Sequence, residues 1–282
     1  MLADVEGIQP KVKGVSVGGV YTSLYLPTYR VGLDVGIASR AMTGVETLLL
    51  SHAHVDHSGA LLTLLGIRAL NGREDPLRIV LPAAVASTMR EIIDKAASFQ
   101  RRPFAVEWFP MEAGDRLCIR GNLWVKALRA YHTAPCLAYL FYRNVQKLRA
   151  EFQGMSAKEI AALRQRGEVL SREESRIEFA YATDTLSQIL DREPELYRAP
   201  TLILESTFLD ERKSVDETRS KGHIHLDEIL ERAEHFSNAQ LLLMHFSQSY
   251  SAREIRRIVA ERCASMQPRV LPLLPATGEW PR

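Results

Sequence analysis

The sequence predicts a mixed α/β sandwich, with helices outside two packed sheets, and three observations carry that reading. Short apolar runs recur along the chain, and some are unbroken by polar residues, as in strands buried on both faces. Segments with helical periodicity lie between and after them, at Ala83 to Ala97, Leu226 to Phe236 and Ala252 to Ala260. Several apolar runs stop at a His, Asp or Glu, and strand ends are where scaffolds present polar groups.

Val15 to Leu26 is rich in β-branched and aromatic residues, and Arg30 to Val35 is a short apolar stretch before Gly36. Thr47-Leu48-Leu49-Leu50 is a continuous apolar run that ends at a cluster of polar ligand-type residues, with Ala60 to Leu65 following as the start of a helix. Leu77 to Leu81 reads as a strand. Leu123 to Ala130 and Leu137 to Tyr142 are strands flanking His132. Phe179 to Ala182 and Thr201 to Leu204 are two more, and Leu241 to Met244 runs directly into His245. The segment from Gln146 to Arg176 breaks this rhythm. Dense in Lys, Arg and Glu, it is read as a helical insertion at about 146–176 within a single domain spanning 1–282.

The chain has 36 Lys and Arg against 34 Asp and Glu, a net charge of +2 in 282 residues. That balance neither announces nor excludes a nucleic-acid partner. Cys118, Cys136 and Cys263 are scattered without CxxC spacing, which predicts free thiols in a reducing compartment. Met1 to Gly14 lacks the apolar stretch of a signal peptide, and no apolar run approaches the ~20 residues that span a bilayer. The expectation is a cytoplasmic protein with no membrane partner.

Chemistry concentrates in His52-Ala53-His54-Val55-Asp56-His57. In an extended loop, residues i and i+2 point the same way, so His52 and His54 can share one ion. Asp56 and His57 lie just beyond and can serve a second. Imidazole with carboxylate suits zinc, manganese or iron, not calcium. A lone HxH would read better as a solvated loop; the complete run reads as a metal site.

The run resembles the HxHxDH signature of the metallo-β-lactamase superfamily, whose fold is a four-layered αβ/βα sandwich. The resemblance implies further ligands in order: His132 in Tyr131-His132-Thr133-Ala134-Pro135, Asp184 in Ala182-Thr183-Asp184-Thr185, and His245 in Met244-His245-Phe246-Ser247. It implies that His52, His54 and His132 hold one ion, that Asp56, His57 and His245 hold the other, and that Asp184 bridges them. Asp34, within Gly32-Leu33-Asp34-Val35-Gly36, resembles a loop placed beneath the metals, where supporting a ligand and making a turn remain equally open.

The C-terminal half is similar to one branch of that superfamily, ribonuclease Z (tRNase Z). The similarity lies in Glu205-Ser206-Thr207-Phe208, Lys221-Gly222-His223 and His245-Phe246-Ser247-Gln248-Ser249-Tyr250, together with His132 to Tyr139. It implies that Glu205 and His223 form a pair that protonates the leaving oxygen, with His225 as the other candidate. A carboxylate can orient an imidazole and keep it protonated, so the chemistry is sound. The implied function is a phosphodiesterase with two divalent ions, zinc first and manganese or iron as alternatives. It would remove the 3′ trailer of tRNA precursors, with Asp56 taking the proton of the attacking water and a homodimer as the assembly.

The chain departs from the branch in places. Its Gly-, Pro-, Arg- and Asn-rich N-terminal motif is not evident in Ser16 to Thr28, and Val55 stands where Gly is usual. Its long arm is replaced by Gln146 to Arg176, whose Lys147, Arg149, Lys158, Arg164, Arg166, Arg172 and Arg176 alternate with Glu151, Glu159, Glu168, Glu173 and Glu174. Phosphate contact and a solvated face are both open there. Two other functions compete: a small-molecule or cyclic-nucleotide phosphodiesterase or arylsulfatase-like hydrolase, and a non-catalytic RNA-binding or scaffold subunit.

Overall fold

The computed structural model describes residues 2–99 and 103–274. Seven strands form a first sheet in chain order: β1 (Ala3–Asp4), β2 (Lys13–Val17), β3 (Tyr21–Leu26), β4 (Val31–Leu33), β5 (Thr47–Leu49), β6 (Leu77–Pro82) and β7 (Val106–Met111). Helices α1 (Val55–Ser58), α2 (Leu61–Leu70) and α3 (Ala83–Ala97) interrupt its second half. Seven more strands form a second sheet: β8 (Arg116–Arg120), β9 (Leu123–Arg129), β10 (Leu137–Leu148), β11 (Ser171–Ala182), β12 (Thr201–Glu205), β13 (Gln240–Met244) and β14 (Arg269–Pro272). Its helices are α4 (Ala157–Gln165), α5 (Gln188–Arg192), α6 (Val215–Ser220), α7 (Leu226–Leu230) and α8 (Ala252–Arg262).

Each sheet opens antiparallel and ends parallel. The change comes between β4 and β5 in the first, and between β11 and β12 in the second. Side-chain alternation then sorts the apolar runs into layers. Leu49 and Val80 face inward with Tyr139, Phe179, Tyr181, Ile203, Leu242 and Met244, forming the core between the sheets. Leu48, Leu50, Ile79 and Leu81 face the other way, under Leu61 and Leu64 of α2 and Met89 and Ile93 of α3. On the opposite side Leu202, Leu204, Leu241 and Leu243 pack beneath α5, α7 and α8. Fully burying one such side chain stabilises by ~1.5–3 kcal/mol. An unbroken run such as Leu241-Leu242-Leu243 therefore requires a strand covered on both faces, and the four layers supply it.

Val15 to Leu26, β-rich as read, forms two strands, because Gly18 and Gly19, the latter at φ +70, turn the chain between β2 and β3. Two expectations are corrected. The helix read over Leu226 to Phe236 stops at Leu230 and gives way to a 3-10 turn at Ala233–His235. The insertion at 146–176 is mainly a hairpin: β10 and β11 stay paired out to Leu148 and Ser171, leaving a 3-10 turn at Ala150–Phe152 and α4 at the tip. Its charges face water from a two-stranded ribbon, and cross-strand pairs such as Lys147–Glu174 (3.3 Å) replace the core such a ribbon lacks.

Candidate metal centre

The parallel strands aim their C-terminal ends at one crevice, where open α/β sheets place their ligands. The turn after β5 carries His52, His54, Asp56 and His57, the last two on the single-turn helix α1. Asp184 follows β11, Glu205 ends β12, His245 follows β13, and His132 lies beyond β9. Asp34 (φ 54), Asp184 (φ 42) and His245 (φ 62) are all left-handed at non-glycine residues. Such strain costs about 1–3 kcal/mol each and is tolerated where packing over-determines it, typically at functional sites.

Ligand-type atoms of His52, His54, His132 and Asp184 lie within 4.8 Å of one another, as do those of Asp56, His57 and His245. Asp184 stands between the groups. Its Oδ2 is 3.7 Å from His52 Nε2 and 3.8 Å from His132 Nε2. Its Oδ1 is 3.3 Å from Nε2 of both His57 and His245. The donor set fits a pair of divalent cations on its own evidence. His52 Nε2 is buried without a hydrogen-bond partner, which is costly unless something else takes its lone pair.

Four of the five imidazoles, those of His52, His57, His132 and His245, are fixed by a partner on the other nitrogen. His52 Nδ1 lies 2.9 Å from Ser51 Oγ. His57 Nδ1 is 2.8 Å from Asp34 Oδ2, and that carboxylate also accepts from Tyr181 Oη (2.6 Å), Ser51 Oγ (2.8 Å) and the Ser51 amide (2.7 Å). Both roles left open for Asp34 are filled: it turns the chain and supports His57. His132 Nδ1 donates to the Gly222 carbonyl at 3.0 Å, and His245 Nδ1 meets Thr207 Oγ1 at 3.1 Å.

The electrostatics call for positive charge. Burial opposes ionisation of Asp56 and Asp184, yet facing imidazoles hold both carboxyls far below the usual range, His57 and His245 foremost. Burial likewise opposes charge on His57, but Asp184 and Asp34 outweigh it and raise its pKa well above normal. Burial, then the neighbouring His57, push His52 down to about 2, so it stays a neutral donor. Burial also lowers His132. Three carboxylates, Asp34, Asp56 and Asp184, among five imidazoles make a site that favours bound cations.

His223 stands at the rim, its Nδ1 3.2 Å from Glu205 Oε1 and its ring 5.2 Å from that of His245. Burial opposes its charge, but Glu205, then Asp184, raise its pKa to about 9. His225 is elsewhere. Buried, it caps α7 by accepting the Asp227 amide at 3.1 Å, and its Nε2 meets the Asp210 carbonyl. Thr207, present in the sequence pattern without a role, joins the two systems by donating to Glu205 Oε2 at 2.7 Å while touching His245. Tyr181 and Ser51 gave no signal, since strand hydroxyls of this kind are common.

A family profile described as the beta-lactamase superfamily domain matches residues 33–246. The chain is 31% identical over 264 residues to the Arabidopsis thaliana protein named tRNase Z TRZ1, covering 93% of this chain and 94% of that one. Its fold is similar to that of the metallo-β-lactamase fold protein YhfI from Bacillus subtilis, with a TM-score of 0.64 at 15% identity, over 93% of this chain and 95% of the other. Human tRNase Z, short form, gives a TM-score of 0.59 at 16% identity, over 84% and 93%. At those identities the two structures speak to the fold alone.

Proposed function

Because this chain belongs to the metallo-β-lactamase superfamily, we propose that it is a dinuclear metal-dependent phosphodiesterase that removes the 3′ trailer of tRNA precursors. One observation carries the reading: the two oxygens of Asp184 face two sets of imidazoles, with the Glu205–His223 pair at the rim of the same site. The relative named tRNase Z supports the choice of substrate.

His52, His54 and His132 would hold one ion and Asp56, His57 and His245 the other, with Asp184 shared and zinc, manganese or iron suited to the donors. When bound, such a pair supplies Lewis acidity, neutralising a phosphoryl oxygen and acidifying water. Asp56, half-buried and held anionic, accepts the proton of the attacking water through its carboxylate. Attack at phosphorus in line with the ribose O3′ breaks the P–O3′ bond. His223, charged at neutral pH, gives its Nε2 proton to that departing oxygen while Glu205 holds Nδ1. The upstream product then ends in a 3′-hydroxyl and the trailer begins with a phosphate.

The test is cleavage of a 3′-extended tRNA precursor by purified, metal-quantified protein, with bis-p-nitrophenyl phosphate alongside. A discrete cut just past the discriminator, lost in His223→Ala, is the expected result. Hydrolysis of the small diester alone would refute the tRNA assignment.

One observation favours a second reading, a phosphodiesterase for small substrates. The basic residues at the base of the hairpin are half neutralised, Arg143 and Arg176 sharing Glu178 and Lys147 and Arg172 sharing Glu174. Each carboxylate so placed offsets one positive charge that would otherwise meet an RNA backbone.

A further inference from the structure

A cavity of about 290 Å³ adjoins the metal centre, lined in part by Arg129, Tyr131, His132, Thr133, Arg219 and Gly222, with no Asp or Glu in its wall. Arg129, exposed at the end of β9, has no carboxylate partner among the described residues; its guanidinium lies 5.3 Å from the centre of the Tyr131 ring. Arg219 is oriented from behind. Its Nε donates to the fully buried Glu228 at 2.7 Å, while Nη1 has only the exposed Asp216, 3.9 Å away. Neutralising Glu228 explains one edge of Arg219. It does not explain why a second, unpaired guanidinium lines the same acid-free hollow.

We propose that this cavity is a phosphate subsite, taking the 5′-phosphate of the nucleotide whose ribose oxygen departs. The inference rests on the phosphodiesterase reading of the metal centre. His132 and Gly222 belong to both places: His132 Nε2 faces Asp184, and the Gly222 carbonyl holds its other nitrogen. His223, on the departing side of the scissile bond, follows Gly222 directly in the chain. A strand leaving Asp184 past His223 therefore meets Arg129 and Arg219 next. Planar guanidinium forks match phosphate oxygens in pairs, and the Tyr131 and Thr133 hydroxyls add neutral donors.

The probes are uridine and uridine 5′-monophosphate, which differ only in the phosphate and contain no diester to cleave. Titrated calorimetrically into the metal-loaded protein, the monophosphate binds about tenfold tighter than uridine, and Arg129→Gln removes most of that difference. Arg129 is the residue to change because its charge balances no carboxylate among the described residues, whereas Arg219 balances a buried one. Equal binding of the two probes by the unsubstituted protein overturns the subsite. So does a monophosphate affinity unchanged in Arg129→Gln, which would seat the phosphate elsewhere, for instance on the metal ions. Cleavage of the tRNA precursor and of bis-p-nitrophenyl phosphate is followed on the same preparations. If neither is cleaved while Arg129-dependent discrimination persists, the phosphodiesterase reading falls, and with it the assignment of this phosphate site to the departing nucleotide.

Discussion

The Gly222 carbonyl accepts the Nδ1 proton of His132 at 3.0 Å, so the peptide that precedes His223 also orients a side chain of the candidate metal centre. Gly222 is left-handed at φ +79, and a Cβ there would stand 2.7 Å from His132 Nδ1. Gly222→Ala therefore adds a backbone cost of ~1–2 kcal/mol and pushes ligand and acid apart together. The expected outcome is a folded protein with a lower Tm, reduced metal content by elemental analysis, and a loss of kcat of about 100-fold, the scale of a 1 Å misplacement. Retention of full metal and activity would remove the link between the two residues.

Glu205 sets the protonation of His223. The group must carry its proton to act as an acid, so activity declines as pH rises through its pKa, which Glu205 raises to about 9. Glu205→Gln removes the negative charge while keeping an acceptor for the Thr185 amide, 2.7 Å away. The alkaline limb of kcat should move to lower pH, with the maximum rate reduced about 100-fold. Bound cations act on both proteins alike, so the direction of the shift survives their presence. An unmoved limb would show that another group titrates there.

Asp34 tests the support beneath the ligands. Its carboxylate is fully buried and gathers His57, Ser51 and Tyr181. Asp34→Asn keeps the volume but turns one acceptor into a donor and weakens the anchoring of His57. Metal affinity, measured by competition with a chelator, should fall about 10–100-fold. Metal binding to the folded state alone also stabilises it by mass action. Chelation should therefore lower the Tm of the unsubstituted protein, and by less in Asp34→Asn.

The metal-type side chains could be read from the sequence because the clustered run fixed their order and each later residue closed an apolar strand, as His245 closes Leu241-Leu242-Leu243. The supports were harder to see. Tyr181 and Ser51 look like any half-polar strand residue until two sheets bring them to Asp34, and Thr207 matters only because β12 and β13 are neighbours. Strands β7 and β8 went unseen because their mixed burial leaves no clean apolar run. The insertion misled for a related reason: charge density marks a solvated segment but does not distinguish a helix from a ribbon.

That ribbon offers a clean excision. Leu148 and Ser171 are paired directly, and α4 beyond them buries no residue, so replacing 149–170 with Asn-Gly closes the hairpin with a two-residue turn. Leu170 is the one buried residue removed and belongs to none of the core clusters, so the Tm should change little. If the precursor lies against the tip, where Arg149, Lys158, Arg164 and Arg166 are exposed, KM for the tRNA precursor rises at least about tenfold while bis-p-nitrophenyl phosphate is hydrolysed at its former rate. That is the outcome expected from the tRNA assignment. Unchanged kinetics on both substrates would place RNA contact elsewhere and shift weight to the small-substrate reading.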